Sequence, residues 1–269
     1  MVNTVGLIGH NGTLGKSVLV ELAKLHAQGK INLSVIHRPT SNTATIPSDV
    51  ERRELDYDAE DGPSFDAAVK GVNILLSTVG GLGSESQVKL YPALSRSKDL
   101  VTFIPSEFGP HYTAYDKAHA TIGILQPKIT ALEEAQKMQL PVTVVQAGIT
   151  ASLVFRAASH DYLAKATASL VTTQDATSLA DKHFHVYELN PTGADIAKAF
   201  TEGIGSETKL VPLTDDELDA KLHSTNGFEA LGATIFRKRA DDDLQYQGDR
   251  VQVAGYQSQG LNAIVKAAL

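Results

Sequence analysis

Two kinds of hydrophobic pattern alternate along the first 150 residues. Short apolar runs bounded by turn residues mark buried strands, and apolar positions recurring every three or four residues mark helices. Strands are predicted over Thr4–Ile8, Leu33–His37, Arg53–Asp56, Ile74–Thr78, Leu100–Pro105 and Val142–Ala147. Helices are predicted over Thr13–Ala27, Ser64–Val69, Ser84–Ser97 and Pro127–Met138. Pro127 suits the first turn of its helix, where a missing N–H costs nothing. Strands rich in Val, Ile and Leu, separated by helices, imply a parallel sheet covered on both faces. The expected fold class is α/β, a Rossmann-type doubly wound parallel sheet with a small C-terminal substrate-binding region. After Ala147 the pattern weakens. It predicts a strand over Phe184–Leu189, a helix over Pro191–Gly203, a strand over Lys209–Pro212 and a helix over Asp215–His223. Two regions are therefore expected: a Rossmann domain over residues 1–150, and a smaller substrate-binding or lid region over 151–269, interleaved with that core. Ligands of such sheets bind beyond the carboxyl ends of the strands, so the second region is expected to cover the mouth of the sheet.

The junction between the first strand and the first helix reads Gly9-His10-Asn11-Gly12-Thr13-Leu14-Gly15. Glycines let the chain turn tightly and approach a ligand, and the helix that follows aims its unpaired N–H groups at a phosphate. The spacing is G-x-x-G-x-x-G instead of the commoner G-x-G-x-x-G. Within a strand–turn–helix it marks a dinucleotide site formed by Gly9, Asn11, Gly12, Thr13, Leu14 and Gly15. An NAD site places Asp or Glu at the end of the second strand, to accept from the ribose 2′-OH. Here that stretch reads Ile36-His37-Arg38-Pro39. No carboxylate is present, and Arg38 offers a permanently charged fork for a 2′-phosphate. The expected cofactor is thus NADP(H). Small residues end the fourth strand, and Thr78, Val79 and Gly80 are expected to let the cofactor lie over the backbone.

Composition removes several other chemistries. The chain has 269 residues and no Cys, which rules out disulfides, Cys-ligated zinc and thiol catalysis. The net charge of −7 argues against nucleic acid as a partner, because phosphate binding needs a basic surface. The basic cluster Arg237-Lys238-Arg239 is followed at once by Asp241-Asp242-Asp243 and reads as solvated surface. No apolar run reaches membrane-spanning length, and no secretory pattern opens the chain. A cytoplasmic protein, monomer or homodimer, with a small-molecule substrate is expected. His183 and His185 share one strand face, but no third ligand accompanies them and no metal is expected.

Classical short-chain dehydrogenases use a Tyr with a Lys four residues on, the Lys lowering the Tyr pKa. None of the eight tyrosines here has that partner. Instead the chain reads Ile104-Pro105-Ser106-Glu107-Phe108-Gly109 after the fifth strand. This PSEFG segment resembles the signature of the isoflavone reductase and phenylcoumaran benzylic ether reductase group, within the NmrA-like atypical short-chain dehydrogenases. The glycine spacing, Arg38, the Ser77-Thr78-Val79-Gly80 strand end and Gln87 resemble the same group. The likeness covers residues 3–150 and thins toward 200, and the chain is short for the group at its C-terminal end.

The resemblance implies that Lys128, counted back from Pro141, contacts the nicotinamide ribose and serves as, or positions, the general acid/base. It implies an NADPH-dependent reductase of a small aromatic secondary metabolite, delivering hydride to a conjugated or benzylic electrophile. Phe108, His111 and Tyr112, with Tyr115 and His119 in the same loop, have the aromatic and titratable character such a substrate calls for. Gly148, Ile149 and Thr150 follow the sixth strand and are expected near the nicotinamide. Two other readings stand beside this one. A cofactor-sensing regulator would bind NADP(H) without turnover, and a cyclase or isomerase would use the cofactor as a pocket wall without net redox chemistry.

Overall fold

The computed structural model describes residues 2–80, 87–109, 126–147, 158–173, 175–240 and 248–268. Five strands build its first sheet: β1 (Asn3–Ile8), β2 (Ile31–His37), β3 (Glu51–Glu54), β4 (Ile74–Ser77) and β5 (Thr102–Ile104). Their order is β3-β2-β1-β4-β5, and every pairing is parallel. Three further parallel strands, β6 (Val144–Ala147), β7 (His183–Val186) and β8 (Asp249–Arg250), follow in that order. The two sets meet at a parallel bridge between Phe103 and Val142. There the Phe103 N–H donates to Pro141 O at 2.8 Å, and the Thr143 N–H donates to Phe103 O at 2.9 Å. The chain winds from β1 outward to β3, then returns to place β4 on the other side of β1. This reversal is the switch point of a doubly wound Rossmann-type sheet.

Alternate residues of each strand face opposite sides, and two apolar cores result. Val5, Leu7, Val35, Leu76, Val145 and Ala147 pack on one side against α1 (Thr13–Ala27) and a later helix spanning His160–Thr173. Ile8, Ile36, Leu75, Phe103 and Val144 pack on the other, against α2 (Pro63–Val69), α3 (Tyr91–Arg96) and α4 (Gln126–Lys137). The remaining helices are α5 (that His160–Thr173 helix), α6 (Ala176–Leu179), α7 (Gly193–Ile204), α8 (Asp215–Leu222), α9 (Gly227–Ala240) and α10 (Leu261–Ala268).

Two expectations need correction. Lys209–Pro212 is not a strand: Leu210 is 63% and Val211 80% exposed, and no described strand pairs with them. Pro212 has no N–H to give a ladder, and an apolar run without a sheet edge beside it has nothing to join. The helix expected over Ser84–Ser97 is interrupted. Residues 87–88 are helical, 89–90 form a turn, and α3 begins at Tyr91; residues 84–86 lie outside the described chain. Pro92 would clash with a carbonyl four residues back, so it sits in a new first turn. No described helix is long and apolar enough to cross a membrane.

Candidate functional site

The carboxyl end of β1 meets the end of β4 at the switch point. Both the Thr78 N–H, at 3.0 Å, and its Oγ1, at 2.9 Å, donate to Ile8 O. Gly9 follows with φ +86°, a left-handed conformation that favours glycine. A Cβ on Gly9 would stand 2.7 Å from the Thr78 carbonyl carbon and the Val79 nitrogen. One on Gly15 would stand 2.1 Å from Gly9 O. Two of the three glycines are thus required by backbone packing between β1, α1 and β4, whatever binds there. Gly12 caps α1 and donates to Gly9 O at 3.0 Å. No side chain caps the helix, and no acidic residue lies in its first turn. The first N–H groups of α1, at Thr13, Leu14 and Gly15, therefore have no partner within the helix, and no side chain of its first turn opposes the positive end of its dipole.

Beside this turn lies a cavity of about 240 Å³, lined in part by Gly9, Asn11, His37, Arg38, Tyr57 and Gly80. It falls below the ~300–1,000 Å³ usual for small-ligand pockets, so it suits one end of an extended ligand. Arg38 is exposed, and its guanidinium carbon stands 5.5 Å from the centre of the Tyr57 ring. Burial pushes the Tyr57 hydroxyl up to about 12, so it stays protonated at neutral pH. His10 is buried; burial is the main cause holding its pKa below the ordinary histidine value, and His37 adds to it.

The PSEFG segment and α4 form the second cluster. Ser106 Oγ donates to Val79 O at 2.6 Å, and the Ser106 N–H donates to Gln87 Oε1 at 3.4 Å. Lys128 Nζ donates to Ser106 O at 2.8 Å. The Lys128 side chain is partly buried, and burial lowers its pKa, with the Glu107 carboxylate opposing the shift. Val79 lines the cavity as well, so one peptide segment joins the two clusters. Phe108 is half-buried against the α1 side of the sheet.

Gly9, Asn11, Gly12, Arg38, Thr78, Val79 and Gly80 are brought together around the cavity, and Lys128 is tied to the same region through Ser106. His111, Tyr112, Tyr115, His119, Gly148, Ile149 and Thr150 lie outside the described residues. Sequence reasoning gave no role to His10, Ser41, Asn42 or Tyr57. Only Tyr57 carried a usable signal, since it follows β3 on the carboxyl side where such sheets bind ligands.

No family model matches the chain. Among curated proteins, the isoflavone reductase homolog IRL of Zea mays is 26% identical over 148 residues, 54% of this chain and 48% of that protein. The phenylcoumaran benzylic ether reductase Betv6 of Betula pendula is 30% identical over 120 residues, 42% of this chain and 37% of that protein. The chain thus matches about half, or less, of these relatives' lengths. Among solved structures, AtPrR2 with NADP+ and (+)pinoresinol superposes with a TM-score of 0.77 at 15% identity, covering 100% of this chain and 99% of that one. By sequence, the chain resembles the isoflavone reductase and phenylcoumaran benzylic ether reductase group, and it has the fold of such reductases.

Proposed function

We propose that the chain is an NADPH-dependent oxidoreductase that reduces a small aromatic metabolite at a conjugated or benzylic position. The observation that carries this reading is the junction of the two clusters. An uncapped helix N-terminus behind a glycine turn and an Arg at the end of β2 border the cavity that Val79 lines. A partly buried lysine is linked to the Val79 carbonyl through Ser106. The residues fit a 2′-phosphorylated dinucleotide. The N–H groups of Thr13, Leu14 and Gly15 suit a pyrophosphate, and Arg38 suits the 2′-phosphate. Asn11 and Gly12 flank the pyrophosphate, while Thr78, Val79 and Gly80 support the nicotinamide end. Likeness to the maize and birch proteins supports the same reading.

A reduced nicotinamide supplies hydride when bound. Lys128 holds a proton at Nζ, oriented by the Ser106 carbonyl. Burial makes its ammonium a readier proton donor, and the Glu107 carboxylate opposes that shift. The residue can therefore protonate an oxygen that gains negative charge as the substrate is reduced, and it would also help hold the nicotinamide ribose. Phe108 offers an aromatic wall for the substrate. The two regions, 1–150 for the cofactor and 151–269 for the substrate, divide the work in this scheme.

The test pairs binding with turnover. Lys128→Ala is expected to keep the fold and NADPH affinity while losing at least ~10²-fold in NADPH oxidation, the lower end of what general acid catalysis contributes. The acceptors are a panel of benzylic ethers and conjugated ketones that includes (+)-pinoresinol. Wild-type turnover in the variant removes Lys128 from the mechanism. Tight NADPH binding with no oxidation on the whole panel favours a sensor, and product formed without NADPH loss favours a net non-redox reaction.

A further inference from the structure

Two side chains of the glycine turn converge on one main-chain carbonyl. Asn11 Nδ2 donates to Asn42 O at 2.9 Å, and His10 Nε2 lies 3.0 Å from the same oxygen. A carbonyl can only accept, so in this contact Nε2 carries the hydrogen and Nδ1 holds the lone pair. Asn42 belongs to the loop that leaves β2 at Arg38. That loop is also braced from within: the Ser41 N–H donates to Arg38 O at 2.9 Å, and the Ala44 N–H donates to Asn42 Oδ1 at 2.9 Å. The His37 ring adds a contact from Nδ1 to Arg38 O at 3.0 Å. His10 and His37 meet edge to face, with ring centres 6.4 Å apart. His10 is 2% exposed while Asn42 is exposed, so a buried side chain of the turn anchors a surface loop.

We propose that His10 and Asn11, by clasping the Asn42 carbonyl, position the Arg38–Asn42 loop and thereby set the chain's discrimination between dinucleotides with and without a ribose 2′-phosphate. The inference rests on the NADP(H) reading above and deepens it. Arg38 is charged wherever it points, but a cation on an unheld loop must be ordered when the ligand arrives. A loop fastened beforehand has already lost that freedom, and the saving appears as affinity. The clasp also fixes the span between the two groups that a 2′-phosphorylated dinucleotide must reach at once: the N-terminus of α1, which faces the pyrophosphate, and Arg38. A ligand without the 2′-phosphate uses only the first and gains nothing from the second. In this scheme His10 is a positioning residue, acting through the loop. Arg38 makes the contact.

NADP+ and NAD+ differ only in the 2′-phosphate, so isothermal titration with both isolates the effect. Wild-type protein is expected to favour NADP+. His10→Leu keeps an apolar body of similar size and removes the donor. It is expected to weaken NADP+ about tenfold, the equivalent of one hydrogen bond, and to leave NAD+ within about twofold. His10→Gln restores a donor and is expected to recover most of the NADP+ affinity. Equal losses on both ligands, or no loss on either, overturn the proposal. Should His10→Leu not fold, His10→Phe keeps an aromatic ring against His37 while removing the donor, and the same ratio is read from it. A wild-type protein with no preference overturns the underlying NADP(H) reading too, and so is distinguished from failure of the clasp alone.

Discussion

Lys128 shows what one residue's surroundings can and cannot announce in a sequence. Its candidacy came from its place between PSEFG and Pro141. Its carbonyl partner and its burial are products of folding, because Ser106 lies 22 positions away. The same holds for His10, whose partner Asn42 lies on a loop 32 positions on and leaves no periodic mark. Burial of Lys128 has a consequence for stability. Its folded pKa lies below the ordinary 10.5, so between those two values the folded chain binds fewer protons than the unfolded one. Stability must then rise with pH across that interval; below it the full penalty of burying the ammonium persists. The difference in unfolding free energy between wild type and Lys128→Met, measured by urea melts, is expected to shift in favour of wild type as pH climbs toward 10.5. Tyr57, raised by burial to about 12, gives the opposite slope above pH ~10. It does so equally in both proteins, and the comparison cancels it. A difference that stays flat from neutrality to 10.5 would show that burial does not depress this lysine.

At the scale of elements, the strongest patterns gave the truest bounds. The helix expected over Thr13–Ala27 is α1 to the residue, and the strand expected over Thr4–Ile8 is β1 less one position. α5 escaped notice because much of its buried face is alanine, at positions 164, 166 and 168, which barely marks a helical stripe. Lys209–Pro212 failed the other way, since an apolar run cannot report whether a sheet edge lies beside it. The glycine turn was legible as a motif, its glycines read as serving a tight turn and the approach of a ligand. The structure adds contact between elements: the Gly15 Cα faces Gly9 O where α1 crosses the end of β1. Gly15→Ala would press a methyl against that carbonyl at 2.1 Å, against backbone that cannot swing aside. Helix propensity by itself would favour the alanine, so the sign of the effect separates the two explanations. A loss of about 1–3 kcal/mol is expected without any ligand present. Unchanged or raised stability of the ligand-free variant in thermal melts would return Gly15 to a purely ligand-facing role.

For the whole molecule, the expected division near residue 150 meets a core that spans it. Val5, Leu7, Leu76 and Val145 share one apolar cluster with Leu163, Leu170, Phe184 and Val251. α5 lies along α1, and Asn3 Nδ2 donates to Val171 O at 2.8 Å across 168 positions. β7 pairs with β6 along its whole length, so residues on both sides of 150 share one ladder. A chain ended at residue 150 would leave Val18, Leu19 and Leu22 of α1 without the α5 side of their core. Exposing even a few such side chains costs about 1.5–3 kcal/mol each, against a total stability of about 5–15 kcal/mol for a typical domain. The substrate region we propose is therefore expected to melt together with the cofactor region. Calorimetry of the full chain should show one transition, with van't Hoff and calorimetric enthalpies in agreement. NADP+ should move that transition upward as one peak, because a ligand of the folded state stabilises every element that unfolds with its site. Two transitions, of which NADP+ shifts only one, would show that the later residues fold apart from the cofactor site and that the shared core is weaker than its burial suggests.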